Sequence, residues 1–463
     1  MDELLALSAT RQASLIRARK TSSRELIQAH LRHVARVNPR MNAVVELLAE
    51  RALIEAGLAD DALARGESVG PFHGVPFSIK DSLELEGTVC TAGTLGRREA
   101  AISTEDAALV GRLRHAGAIP IAKTNLPDLL FAFESDNLLF GATNNPYDLT
   151  RSSGGSSGGE AALIASCGSP FGLGSDAAGS VRVPAAFCGI ASIKPTSGRL
   201  PRSGHFPPAG GWIETLWQIG PMARRLEDLC ALMPLLVSGD GRDFSVIDVP
   251  FQDPSAVKLA GLRIAFYAGA TPEVCGVVRA AALALAPDVA TVKEDRPVIL
   301  EQAYDLEMKL LGADGGDSLR EYLRHLGSQR LHPLLTGWLD KLEPYRTDLQ
   351  GFAHYWADLD AYRANMFAFL NKYDVILCPV YTQPALLHGT SILDENFRGF
   401  SHTMAYNLTG WPAAAVRCGE SADGLPIAVQ VVARPYREDI ALAVAKRLEE
   451  EFGGWKAPTL ISE

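Results

Sequence analysis

The sequence predicts an α/β fold, with strands gathered in a sheet and helices covering both of its faces. Three observations lead there. From about residue 71 short apolar runs alternate with helix-like runs, the runs are of strand length, and several carry apolar residues without a polar face. Strands of that kind are buried on both sides, which calls for helices on both sides.

The first 65 residues read as helical. Ser22 followed by Glu25 is a capping-box pattern, and Leu26, Ile27, Leu31 and Val34 then recur at helical spacing. Next come an expected strand at 75–79, a helix at 105–116 and a strand at 119–122, with Gly117 where a helix C-cap belongs. Later strands are expected at 171–173, 262–267, 375–378, 413–416 and 427–433. Residues 300–372 are rich in Leu, Tyr, Trp and charge and have few strand signals, so they read as a helical insertion, either over a site or as ordinary surface helices. No internal repeat or low-complexity linker divides the chain, and a single domain over 1–463 is expected, with residues 373–463 returning to the core sheet.

Composition narrows the function. The 463 residues are 47% hydrophobic and 21% charged, as in a soluble enzyme with a large buried core. A net charge of −10 argues against broad nucleic-acid binding, which needs a basic face. The seven cysteines are scattered with no CxxC pair, and zinc-type Cys/His spacing is absent, so neither a disulfide framework nor a metal site is expected. The N-terminus lacks the apolar run of a signal peptide, and no stretch approaches the length of a membrane span. A cytoplasmic protein follows.

One region departs from average composition. It runs RSSGGSSGGE over 151–160 into a helix-like stretch at 161–167, and then GSDAAGS over 174–180 into VRVPA. A glycine-rich loop that opens a helix brings backbone N–H groups close to a ligand. A phosphate loop would place a lysine after the glycines, and none follows. Gly154 to Gly158 also satisfies G-x-S-x-G, the nucleophile elbow, but the residues before it, 144–151, read as loop where an elbow needs a strand.

GGSSGGE, followed by GSDAAGSVRVPAAFCG with its serine 24 residues after the first, resembles the amidase signature family, and the fatty-acid-amide-hydrolase-like branch in particular. GVPFSIKD over 74–81 matches that family's lysine motif. Thr124, Asn125, Asn137, Phe140, Gly141, Asn145, Pro146 and Arg151 match its connecting pattern, as do NLTGWPA over 407–413 and GLPIAVQ over 424–430. The resemblance implies one large domain with a mixed, twisted sheet and a Ser–cis-Ser–Lys triad, without a cofactor or metal. Ser180 would be the nucleophile, Ser156 would bridge it to Lys80, and the backbone N–H groups of Ala177, Ala178, Gly179 and Ser180 would form the oxyanion hole. It also implies a cis peptide before Ser156, where Gly155 removes one side-chain clash.

The chemistry suits these residue types. A serine hydroxyl is a weak nucleophile until a base takes its proton. A lysine serves if burial away from carboxylates keeps it neutral, and a second hydroxyl can relay the proton because it donates and accepts at once. Ser157 is expected to cap the following helix. Asp176 and Arg182 are expected to brace the nucleophile loop, and Cys188 to be a small buried hydrophobe. Asp81 could orient Lys80, be solvated or serve as a cap. Ala178 and Ala428 stand where the family more commonly has glycine, and Ala178 would be strained if its position required a positive φ.

The expected reaction is hydrolysis of a small-molecule amide. Alternatives on the same triad are a carbamate or ester hydrolase and the glutamine-hydrolysing subunit of an amidotransferase, from which Glu160 and Val183–Pro184 look different. A degenerate, non-catalytic binding protein is disfavoured by the complete triad. Phe131 and Phe133, which follow Asn125, are expected to line an apolar or aryl substrate pocket, unless they belong to the core. Oligomeric state is unreadable from the sequence, with a homodimer left open.

Overall fold

The computed structural model describes residues 3–459. Its strands are β1 Val44–Leu47, β2 Pro76–Lys80, β3 Ile119–Thr124, β4 Phe171–Asp176, β5 Ala191–Lys194, β6 Gln218–Ala223, β7 Arg263–Phe266, β8 Thr291–Glu294, β9 Val375–Pro379, β10 Ala413–Glu420 and β11 Pro426–Ala433. They form one 11-stranded sheet in the order β1-β3-β2-β4-β6-β5-β10-β11-β9-β7-β8. The sheet is mixed: β3, β2 and β4 run parallel, as do β9, β7 and β8, and antiparallel pairs join these two blocks. A mixed sheet covered by helices agrees with the α/β expectation.

The strands bury both faces. In β2 all five residues are buried. Phe77 and Ile79 enter one core, with Phe171, Leu173 and Ile193. A second core collects the helix Gly158–Ala165 and its neighbours. That helix comes unusually close to the sheet. A Cβ on Gly172 would fall 1.7 Å from Glu160 Oε1, so the strand must carry glycine there.

The structure extends or adds to the expected elements. β4 runs on to Asp176, because Gly172 and Gly174 interrupt the apolar pattern without breaking the strand. The helix expected at 105–116 is shorter, Ala108–His115, and Gly117 follows it with φ +90. The N-terminal region is not all helix, since β1 pairs with β3 between Ser23–Met41 and Ala49–Ala64. The capping box is formed, with the side chain of Ser22 accepting from the Glu25 amide and that of Glu25 from the Ser22 amide. Between β8 and β9 the chain is helical: Ala303–Leu311, Asp317–His325, Pro333–Leu342 and Leu349–Phe369. No described helix is long and apolar enough to cross a membrane.

Candidate active site

Three parallel neighbours end together. Lys80, Thr124 and Asp176 are the last residues of β2, β3 and β4, and Lys80 is in register with Thr124. Sites in α/β sheets commonly form at such carboxyl ends. The loop 177–180 leaves β4 there and enters the helix Arg182–Phe187, so the strand–turn–helix context that an elbow requires precedes Ser180, not Ser156.

Lys80 is fully buried, and its Nζ makes hydrogen-bond contacts with Ser156 Oγ at 2.6 Å and Ser175 Oγ at 3.1 Å. Burial pushes its pKa down to about 7, although Asp176 and Glu160 pull it back up. The sequence expectation of burial away from carboxylates is therefore corrected: desolvation prevails in spite of two of them. Glu160 is itself pushed up to about 7 by burial, while its bonds from Ser78 and Thr124 and the nearby Lys80 oppose the rise. Asp81 does not orient Lys80 and is neither solvated nor a cap. It forms a buried ion pair with Lys123 at 2.8 Å and accepts from Thr91.

The peptide between Gly155 and Ser156 is cis. Glycine is required at 155 by a close approach, since a Cβ there would lie 2.5 Å from the Glu134 amide. Ser157 occupies the N-cap position of its helix but makes no capping bond. Its hydroxyl donates to the Ser175 carbonyl at 3.4 Å, and Ser135 Oγ accepts the Gly158 amide instead, at 2.8 Å. The two loops are tied by the Ser157 amide, which donates to the Ser180 carbonyl at 3.1 Å. Of the two links expected of Ser156, the one to Lys80 is formed. Ser180 Oγ makes no hydrogen bond to a described residue, and Ser156 and Ser180 share the wall of one cavity.

Asp176 organises the loop 177–180. Its carboxylate accepts from Arg182 Nε and Nη2, both at 2.9 Å, from Asn407 Nδ2 at 3.0 Å and from the amides of Gly179 and Val181. Burial opposes the charge, but the Arg182 guanidinium outweighs it and holds this carboxyl well below the usual range. Arg182 also donates to the Thr403 carbonyl, Gln430 Oε1 and Asn407 Oδ1. Thr403 Oγ1 donates to the Ala178 carbonyl at 2.6 Å.

The four amides expected to form an oxyanion hole have different surroundings. The Gly179 N–H is taken by Asp176, at 2.8 Å, while Ala177, Ala178 and Ser180 line the cavity. The positive φ, +129, falls on Gly179 and not on Ala178, so alanine at 178 carries no such strain. Ala428 is likewise buried within β11 at an ordinary strand φ. Cys188 is fully buried.

The cavity is lined mainly by apolar residues, among them Leu129, Leu130, Phe131, Ile213, Leu311 and Trp338. Phe131 is one of these, but Phe133 is not. It is buried and stacked on Phe400 at 3.6 Å, so it is a core residue. Glu307, Leu311 and Trp338 bring the helical segment into the wall. The sequence reading missed His205, whose Nε2 lies 3.0 Å from Ser175 Oγ and 3.1 Å from Ser82 Oγ, and whose pKa burial pushes down to about 3. No local pattern announces it, because its contacts reach 30 and 123 residues along the chain. Among the described residues no group of three His, Cys, Asp or Glu side chains could hold a metal ion.

A mixed sheet with a buried lysine, two serines and a pinned turn at its strand ends defines a hydrolase-type site. The amidase family model matches residues 25–442, and the chain belongs to that family. It is an amide-cleaving hydrolase. Human fatty-acid amide hydrolase 2 is 32% identical over 99% of this chain and 91% of its own length. A glutamyl-tRNA(Gln) amidotransferase subunit from Moorella thermoacetica is also 32% identical, over 97% of each chain. A solved structure of 6-aminohexanoate cyclic dimer hydrolase with its substrate superposes with a TM-score of 0.87, at 28% identity over the whole of both chains.

Proposed function

We propose that the protein is a serine hydrolase that cleaves an apolar or aryl amide through an acyl-enzyme. The observation that carries this reading is the buried 2.6 Å contact between Lys80 Nζ and Ser156 Oγ, with the lysine pKa lowered to about 7, beside the cavity that Ser180 shares. Neutral Lys80 accepts the Ser156 proton, Ser156 accepts that of Ser180, and Ser180 Oγ attacks the substrate carbonyl. The amides of Ala177, Ala178 and Ser180 face the developing oxyanion; losing one such donor typically costs about 2.7–4 kcal/mol of barrier. The proton returns to the leaving amine as the C–N bond breaks. Water, deprotonated along the same path, then hydrolyses the acyl-Ser180 ester to the acid.

A glutamine-hydrolysing role within an amidotransferase is the second reading, favoured by the identity to the Moorella thermoacetica protein. Against it, no arginine or lysine among the described residues lines the cavity to meet a glutamine α-carboxylate. The seven cysteines, all unpaired, fit a reducing compartment, and we take the cytoplasm as the location and the single sheet as one domain. Rates on a matched amide, carbamate and ester, with L-glutamine alongside, test the proposal. Turnover of the amide supports it. Turnover of the ester alone, or of glutamine alone, overturns it.

A further inference from the structure

Two residues of the cavity wall, Glu307 and Trp338, carry a buried polar atom without a partner among the described residues, and Glu307 is the ionisable one. It lies on the helix Ala303–Leu311 and is 1% exposed, among apolar neighbours. Its Oε2 is buried without a hydrogen-bond partner, and no described residue bonds to either carboxyl oxygen. The charge of Arg182 attracts the carboxyl, but its guanidinium makes no hydrogen bond to it. Arg182 Nε, Nη1 and Nη2 are spent on Asp176, Thr403, Gln430 and Asn407. Asp176 repels any charge on Glu307, and burial pushes the carboxyl well above its ordinary range.

A buried carboxyl that no protein group bonds is a costly wall for a purely apolar ligand, because a buried polar group without a partner keeps its desolvation penalty. An alcohol would give it one hydrogen bond and leave it un-ionised. An ammonium group gives it donors and the opposing charge together. The rest of the wall favours the same choice. Phe131 and Trp338 supply aromatic side chains, whose rings attract cations, and among the described residues no lysine or arginine lines the cavity.

We propose that Glu307 is a specificity-determining residue that receives a primary ammonium group, carried by the substrate on an apolar arm away from the scissile carbonyl. This rests on the reading of the cavity as the substrate site. The substrate class is then an amide with an amine at the far end of an alkyl or aryl arm.

The test has two parts. The first is calorimetry on the wild-type protein with phenylbutylamine and phenylbutanol, which requires no turnover. The amine is expected to bind about tenfold more tightly or better, and that preference is expected to disappear in Glu307→Gln and Glu307→Leu. The second compares kcat/KM for aminopentanoyl and hexanoyl nitroanilides. The amino substrate is expected to be favoured in wild type, with the advantage lost through KM in both variants. Equal binding of amine and alcohol by wild type, or an amine preference that survives both substitutions, overturns the proposal. If a variant fails to fold, the wild-type comparison of amine with alcohol decides. Amine binding without hydrolysis of any anilide leaves this inference standing and removes the proposed reaction, whereas hydrolysis without amine preference does the reverse.

Discussion

Lys80 Nζ contacts Ser156 Oγ at 2.6 Å, in a position with no solvent exposure at the carboxyl end of β2. An ammonium ion there lacks water, and the two nearby carboxylates do not fully restore its charge, so its pKa falls to about 7. The sign of the consequence is fixed. Below that value Lys80 is protonated and cannot accept a proton, so kcat/KM for an amide is expected to rise with pH through an apparent pKa near 7. Glu160 also titrates near 7, but it bonds to Ser78 and Thr124 and not to the serines of the relay. The rising limb is therefore expected to persist in Glu160→Gln and to vanish in Lys80→Met, with loss of about two to four orders of magnitude in rate. A pH–rate profile of the three proteins checks this.

The Asp176–Arg182 pair is fully buried, with both carboxyl oxygens engaged. Replacing Arg182 by Met strands a charge in the interior. Denaturant unfolding is expected to show a loss of about 3–5 kcal/mol, together with loss of activity, because the same carboxylate holds the Gly179 and Val181 amides. Arg182→Lys is expected to rescue little, since an ammonium cannot reproduce the two-pronged contact.

Gly179 and Ala178 are adjacent but differ in tolerance. A Cβ at 179 would lie 2.3 Å from Thr403 Oγ1, at a φ of +129. Gly179→Ala is expected to lower both the melting temperature and kcat, while Ala178→Gly changes stability by less than about 1 kcal/mol. Parallel melting curves and rates separate the two.

Ser175 joins Lys80 to His205 by contacts of 3.1 and 3.0 Å. Removing its hydroxyl frees the lysine to move without removing the base. Ser175→Ala is expected to lower kcat about tenfold or more with little change in KM, and to shift the rising limb of the pH profile. A drop confined to KM would contradict a positioning role.

The motifs that meet at the candidate site were legible in the sequence, while part of the sheet that carries them was not. Lys80, Ser156 and Ser180 stand in long ordered motifs, and the structure gathers those motifs at neighbouring strand ends. Four strands were not readable. β1 and β8 are short and largely exposed, β5 is four residues ending in lysine, and β6 contains both glycine and proline. β1, β6 and β8 lack the apolar run or alternation that marks a strand, and β5 alternates over only four residues. The residues that hold the loop 177–180 were equally hidden. Thr403, Asn407 and Gln430 reach it across more than 220 residues, and such pairings leave no local pattern. Phe133 and Phe131 show the same limit, since two residues of separation place one in the core and the other in the cavity wall.

If Ser180 is the nucleophile and depends on Lys80, treatment with a fluorophosphonate followed by peptide mapping will find an adduct on Ser180 in the wild type that is absent from Lys80→Ala. An adduct on Ser156 or Ser157, or Ser180 labelling that is unchanged without the lysine, would contradict that assignment.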